Sequence, residues 1–181
     1  MDSIKLLNLE NTNKDDFLSI LTNELLAKFK CTDIDDLPEN YGYAKEWSLL
    51  SLIRDNKIDS YQLIFVNGNF WVGSGGMIRT YDDKKIYQSG FRAFSNATTL
   101  NRSIGMKSYS HIYNTKQQIE LARKHNCESI ILSFNTYNER LFKITRDYHL
   151  PKVFGKDSFK GSDTAVEFYG VKQWLLTMSL E

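Results

Sequence analysis

The stretch from Glu128 to Tyr148, ESIILSFNTYNERLFKITRDY, decides the fold. Residues Ser129 to Phe134 form a short, almost continuous apolar run rich in Ile, Leu and Phe. Such a run suits a strand that is buried on both faces and sits mid-sheet. The turn-forming cluster NTYN comes next, and then Tyr137, Leu141, Ile144 and Tyr148 recur at helical spacing and predict one apolar face of a helix. The unit reads as strand, tight polar turn, amphipathic helix. In open sheets that carry helices, ligands bind outside the carboxyl ends of central strands, which singles out Asn135 and Asn138. The competing reading has both asparagines making the turn and capping the helix.

Upstream of this unit, Ile4 to Leu9 suit a first strand, and NTNKDDF supplies capping and acidic first-turn residues for a helix over roughly 14–30. CTDIDDLPENYG reads as a loop, and Glu46 to Ile53, with Trp47, Leu50 and Ile53 at helical spacing, as a second short helix ending near Asn56. YQLIFV and FWVGSGGMI are strand-like runs joined by NGN, and Asn67-Gly68 is a strong hairpin signal because both residues tolerate positive φ. With IYQSGFRAF beyond the polar turn YDDKK, residues 61–94 predict an antiparallel three-stranded meander. Gly73, Gly75 and Gly76 fall inside its second strand and mark a bulge or a close approach, of which the bulge is favoured.

Between the meander and the central strand, a polar loop becomes helical. Ile112, Ile119 and Ala122 share a helical face, but Thr115 and Gln118 also match a capping box that would begin a separate helix at Lys116. After Tyr148, HLPKVFGKDSFKGSD reads as a loop, and TAVEFYGVKQWLL as one final strand with Val166, Phe168 and Gly170 on one face.

At 181 residues with 41% hydrophobic and 25% charged residues, the chain suits a single domain over 1–181 with a substantial core. Lys and Arg number 23 against 22 carboxylates, so no overall field points to nucleic acid or an anionic membrane. Cys31 and Cys127 are too few for a disulfide framework and lack metal-ligand spacing, as do His111, His125 and His149. The N-terminus has no basic region followed by an apolar core, and no stretch reaches the length of a membrane span, which points to a soluble cytoplasmic protein.

The order of these elements resembles the GCN5-related N-acetyltransferases (GNAT). The resemblance rests on RSIGMK, residues Arg102 to Lys107, similar to that family's pyrophosphate loop; on FNTYNERLFKI, similar to its strand-turn-helix; and on VEFYGVKQWLL, similar to its last strand. It implies an α/β (α+β) fold with a mixed, mostly antiparallel central sheet flanked by helices. It also implies acetyl-coenzyme A as cosubstrate and a primary amine as acceptor. In such a loop the backbone N–H groups of Arg102, Ser103, Ile104, Gly105, Met106 and Lys107 cradle phosphate oxygens at a helix N-terminus, with Gly105 allowing close approach. By the same resemblance Asn138 contacts the cofactor, and the backbone at Ala93 and Phe94 polarises the thioester carbonyl.

The chain departs from the family pattern at identifiable places. Lys107 stands where the loop ends on a small residue, and the interval from Arg102 to the central strand is about four residues longer, roughly one helical turn. The family's tyrosine acid falls, through Asn138, on Thr145; Tyr148, three residues on, is the substitute candidate. The transfer also needs a base, and spacing does not choose among Glu46, Asp82, His111 and His149. The alternative reading is therefore a catalytically inactive binding or assembly protein of the same fold, one that dimerises through its aromatic final strand.

Overall fold

The computed structural model describes residues 3–37, 48–94 and 109–181, with backbone alone at 93–94 and 109–112. The elements run β1 (Ile4–Asn8), α1 (Lys14–Phe29), a 3-10 turn (Ile34–Asp36), α2 (Leu49–Arg54), β2 (Ser60–Val66), β3 (Asn69–Tyr81) and β4 (Lys84–Phe94). They continue with α3 (Tyr109–Lys124), β5 (Ser129–Asn135), a 3-10 turn (Thr136–Asn138), α4 (Glu139–Ile144), a π-helical turn (Thr145–His149) and α5 (Leu150–Phe154). The last three are β6 (Lys160–Gly161), β7 (Val166–Phe168) and β8 (Val171–Ser179). The strands form one sheet in the order β1-β2-β3-β4-β5-β8-β6, with β7 on β8. No helix among the described residues is long and apolar enough to cross a membrane.

Two compact units share the chain, one made of Met1–Gly75 and Phe91–Asn114, the other of Gly76–Gly90 and Thr115–Glu181. In the first, β1 and β2 are antiparallel from Ile4↔Val66 to Asn8↔Gln62. The β2–β3 turn carries positive φ at both Asn67 (51°) and Gly68 (80°), the geometry of a two-residue hairpin turn. The N-cap of α1 is Asn13, whose side chain accepts from the Asp16 N–H at 2.8 Å, and Asp15 and Asp16 complement the helix dipole. Phe17, Leu21 and Leu25 of α1 and Leu49, Leu52 and Ile53 of α2 are buried. The glycines of β3 explain how these helices come so near: a Cβ on Gly75 would lie 2.6 Å from Ile58 and 2.9 Å from Leu49. The glycines therefore serve close approach.

In the second unit β4 and β5 run parallel from Ile86↔Ser129 to Ser89↔Leu132, and β5 and β8 antiparallel from Ser129↔Ser179 to Asn135↔Gln173. The sheet is thus mixed, and β5 is its buried central strand, as the apolar run predicts. Gly76 serves a further close approach, because a Cβ there would lie 2.1 Å from Tyr87 Cζ and from its hydroxyl oxygen. Helix α3 is continuous through Thr115 and Gln118, both buried, so the capping-box reading of that pair gives way to the single-helix reading. Ile119 and Ala122 are buried as that reading requires; the side chain of Ile112 lies outside the described residues.

Three sequence expectations are corrected here. First, the helix after β5 buries Phe142 and Thr145, one residue out of phase with the predicted face, while Tyr137, Ile144 and Tyr148 are exposed. The cause is aromatic packing: the Phe142 ring stacks on Trp174 of β8 at 5.0 Å between centroids and meets Phe134 of β5 at 5.8 Å. Second, the expected single final strand is a hairpin, β7 and β8, turning at Tyr169 (φ 51°) and Gly170 (φ 80°). Third, the expected loop after Tyr148 contains α5, with Pro151 in its first turn where a missing N–H costs nothing, and the short strand β6.

Candidate functional site

The site suggested by the sequence lies around the carboxyl end of β5. The described β4–β5 rungs run from Ile86↔Ser129 to Ser89↔Leu132, toward the carboxyl end of β5. At the rung's edge the Ser133 hydroxyl donates to the Ser89 carbonyl at 3.2 Å. Gly90, with φ 148°, has no room for a side chain there, since a Cβ would lie 2.6 Å from Ser133 Oγ and 2.7 Å from its carbonyl oxygen. The Ser89 hydroxyl donates in turn to Gln118 Oε1 of α3.

Beside this hydrogen-bonded cluster, Gln88 is buried and its Oε1 has no donor. An unmet buried acceptor costs about 1–3 kcal/mol. Sequence reasoning missed Gln88, Gly90 and Ser133. The signal available was the polar Gln-Ser-Gly inside an otherwise apolar strand run, IYQSGFRAF.

Asn135 and Asn138 are both half-buried, and neither makes a side-chain cap to the helical turn it precedes. Thr136 Oγ1 donates to Asn135 Oδ1 at 3.4 Å.

Thr145 and Tyr148 are not brought to one surface. Thr145 is buried with its hydroxyl unpartnered, whereas Tyr148 is 63% exposed and stands edge-on to His149 at 5.7 Å between centroids. Burial, with a smaller contribution from the Lys152 charge, lowers the pKa of His149 below its usual value. Asp147 is held below the usual carboxylate range by its hydrogen bonds from Arg146, at 2.6 and 2.8 Å. Asp82 lies in the β3–β4 turn at φ 49°. Ala93 and Phe94 end β4, with backbone alone described. Glu46, the loop Arg102 to Lys107 and the side chain of His111 lie outside the described residues. Among the described residues, no group of three His, Cys, Asp or Glu side chains is gathered to hold a metal ion.

No family model and no curated protein matches the chain. Solved structures do. An acetyltransferase of the GNAT family from Staphylococcus aureus Mu50 matches with a TM-score of 0.53 at 15% identity, covering 99% of this chain and all of that one (100%). A Bacillus subtilis acetyltransferase in complex with CoA matches at 0.50 and 12% identity, covering 99% and 100%. FeeM, an N-acyl amino acid synthase from uncultured soil microbes, matches at 0.54 and 7% identity, covering 99% and 91%. At such identities the likeness is one of architecture, and it agrees with the mixed sheet, the parallel β4–β5 pair and the helix that follows β5. The chain therefore has the fold of the GCN5-related N-acetyltransferases.

Proposed function

We propose that this chain, acting as one GNAT-like domain over residues 1–181, is a soluble cytoplasmic N-acetyltransferase. It would move an acetyl group from acetyl-coenzyme A to a primary amine. The observation that carries the proposal is the parallel β4–β5 pair, with the turn and helix that follow at the carboxyl end of β5, in a fold shared with an acetyltransferase solved with CoA.

In the transfer the amine nitrogen attacks the thioester carbonyl carbon. The C–S bond breaks, the amine loses a proton to a base or to water, and the coenzyme leaves as its thiol. The loop Arg102 to Lys107 is assigned the pyrophosphate, Asn135 and Asn138 the pantetheine arm, and the backbone of Ala93 and Phe94 the thioester carbonyl. Of the two candidates for assisting the departing sulfur, we propose Thr145, whose buried hydroxyl is uncommitted, as a hydrogen-bond donor. A longer acyl group is the second reading, favoured by the likeness to an N-acyl amino acid synthase.

The test is thiol release from acetyl-coenzyme A across a panel of amines, for the native chain and for Gly105→Trp. Amine-dependent release that is lost in the variant, with the fold intact by circular dichroism, supports the proposal. Cofactor affinity unchanged in Gly105→Trp would remove the loop assignment. Cofactor binding without release for any amine would leave the catalytically inactive binding protein as the reading.

A further inference from the structure

Residues 137–156 combine two properties that a merely solvated surface does not need. They carry five Lys and Arg against two carboxylates, leaving 18 basic against 20 acidic residues in the rest of the chain. They also hold four of the eight large hydrophobic residues exposed among the described ones: Tyr137 (61%), Ile144 (43%), Tyr148 (63%) and Val153 (40%). This concentration follows from the one-residue phase of α4. Burying Phe142 against Trp174 turns Tyr137, Ile144 and Tyr148 outward.

Both carboxylates of the segment are already neutralised within it. Glu139 pairs with Lys143 at 2.8 Å, and Asp147 takes two hydrogen bonds from Arg146. Arg140 has no carboxylate partner among the described residues, and the Lys152 ammonium stands 5.9 Å from the centre of the Tyr148 ring. Arg140, Lys143, Ile144 and Tyr148 line one shallow, solvent-open depression together with Glu139 and Asp147. Tyr and Arg around an aliphatic residue are the side chains that most often anchor protein interfaces.

From this juxtaposition we infer that the outward face of α4 and the π-helical turn is a docking surface for an acidic polypeptide segment. Ile144 and Tyr148 receive its apolar side chains, and Arg140 and Lys152 meet its carboxylates. Charge complementarity selects this occupant. A second copy of the chain docked through the same face would oppose two surfaces of like net charge. A nucleic-acid strand, with a phosphate every 3.4 Å or so, would have to run past Glu139 and Asp147 with few uncommitted cations to meet it.

The probe is a short fluorescein-labelled amphipathic peptide of Glu and Leu, titrated with the full chain and followed by fluorescence anisotropy. A Kd of about 10–100 μM is expected, of the order of 6 kcal/mol. It should weaken at least about tenfold in Arg140→Glu/Lys152→Glu and in Tyr148→Ala, and stay unchanged in Lys5→Glu/Lys30→Glu, which alters net charge equally elsewhere. Four results would overturn the inference. They are no binding by the native chain, equal weakening by both charge reversals, tighter binding of a single-stranded oligothymidylate than of the peptide, and a concentration-dependent dimer in sedimentation that Tyr148→Ala abolishes.

Discussion

Replacing Phe142 by alanine tests the helix phase that organises the second unit. The Phe142 ring is fully buried between Trp174 and Phe134. A buried aromatic removes roughly 150–250 Å² from water, which at about 25 cal/mol per Å² is an upper estimate near 5 kcal/mol. Phe→Ala changes in cores cost about 3–5 kcal/mol, so about 4 kcal/mol is expected here. For a chain of this length that is a fall in Tm of about 8–16 °C. Tyr148→Ala is the control. The ring is 63% exposed, its removal leaves no cavity, and the cost should stay under about 1.5 kcal/mol. Urea unfolding followed by tryptophan fluorescence measures both, because Trp174 lies against the altered ring. A Tyr148→Ala variant as damaged as Phe142→Ala, or a Phe142→Ala variant within about 1 kcal/mol of the native chain, would refute the phase and restore the face read from sequence.

Two further outcomes are expected. His149 has a pKa lowered chiefly by burial, so the folded state binds its proton more weakly than the unfolded state does. Its contribution to stability is then fully present above the ordinary value of 6.5 and is lost as pH falls through the lowered pKa. His149→Gln should reduce the drop in urea midpoint between about pH 7.5 and about pH 5.5, and an identical drop in variant and native chain would contradict the assignment. Gly76→Ala should destabilise by about 1–3 kcal/mol through collision with Tyr87, and Gly76→Ala/Tyr87→Ala should cost less than the two single changes together. Additive costs would show that the ring is not what excludes the methyl group.

Much of the fold was legible where local chemistry and tertiary packing agree. Asn67-Gly68 specifies a hairpin turn wherever it stands, and the apolar run of β5 can only be satisfied mid-sheet. The helix phase was not legible, because two adjacent stripes both carry apolar residues. Tyr137, Leu141, Ile144 and Tyr148 form one, and Asn138, Phe142, Thr145 and His149 the other. Trp174, distant in sequence, chooses between them. The Tyr169-Gly170 turn was hidden for a related reason. A tyrosine at positive φ is uncommon, but here its hydroxyl donates to the Thr80 carbonyl and its ring takes the Arg79 guanidinium at 4.0 Å. Likewise Thr115 and Gln118 carry a local capping signal that burial inside α3 overrides.

For the candidate site the sequence offers a place, the carboxyl end of β5, more than a set of contacts. The carboxyl end of β5 is where the sequence pointed, and the structure adds Gln88, Gly90 and Ser133, polar or small residues whose meaning depends on which strand lies alongside. Asn135 and Asn138 admit both a cofactor reading and a turn-and-cap reading from the sequence, and neither makes a side-chain cap.

Titration calorimetry of the native chain with acetyl-coenzyme A, with coenzyme A alone as comparison, tests the central claim most directly. One cofactor per chain with micromolar affinity, about 8 kcal/mol, is expected. The absence of binding at millimolar cofactor would contradict it, and would mean that the fold is used here without the acyl donor.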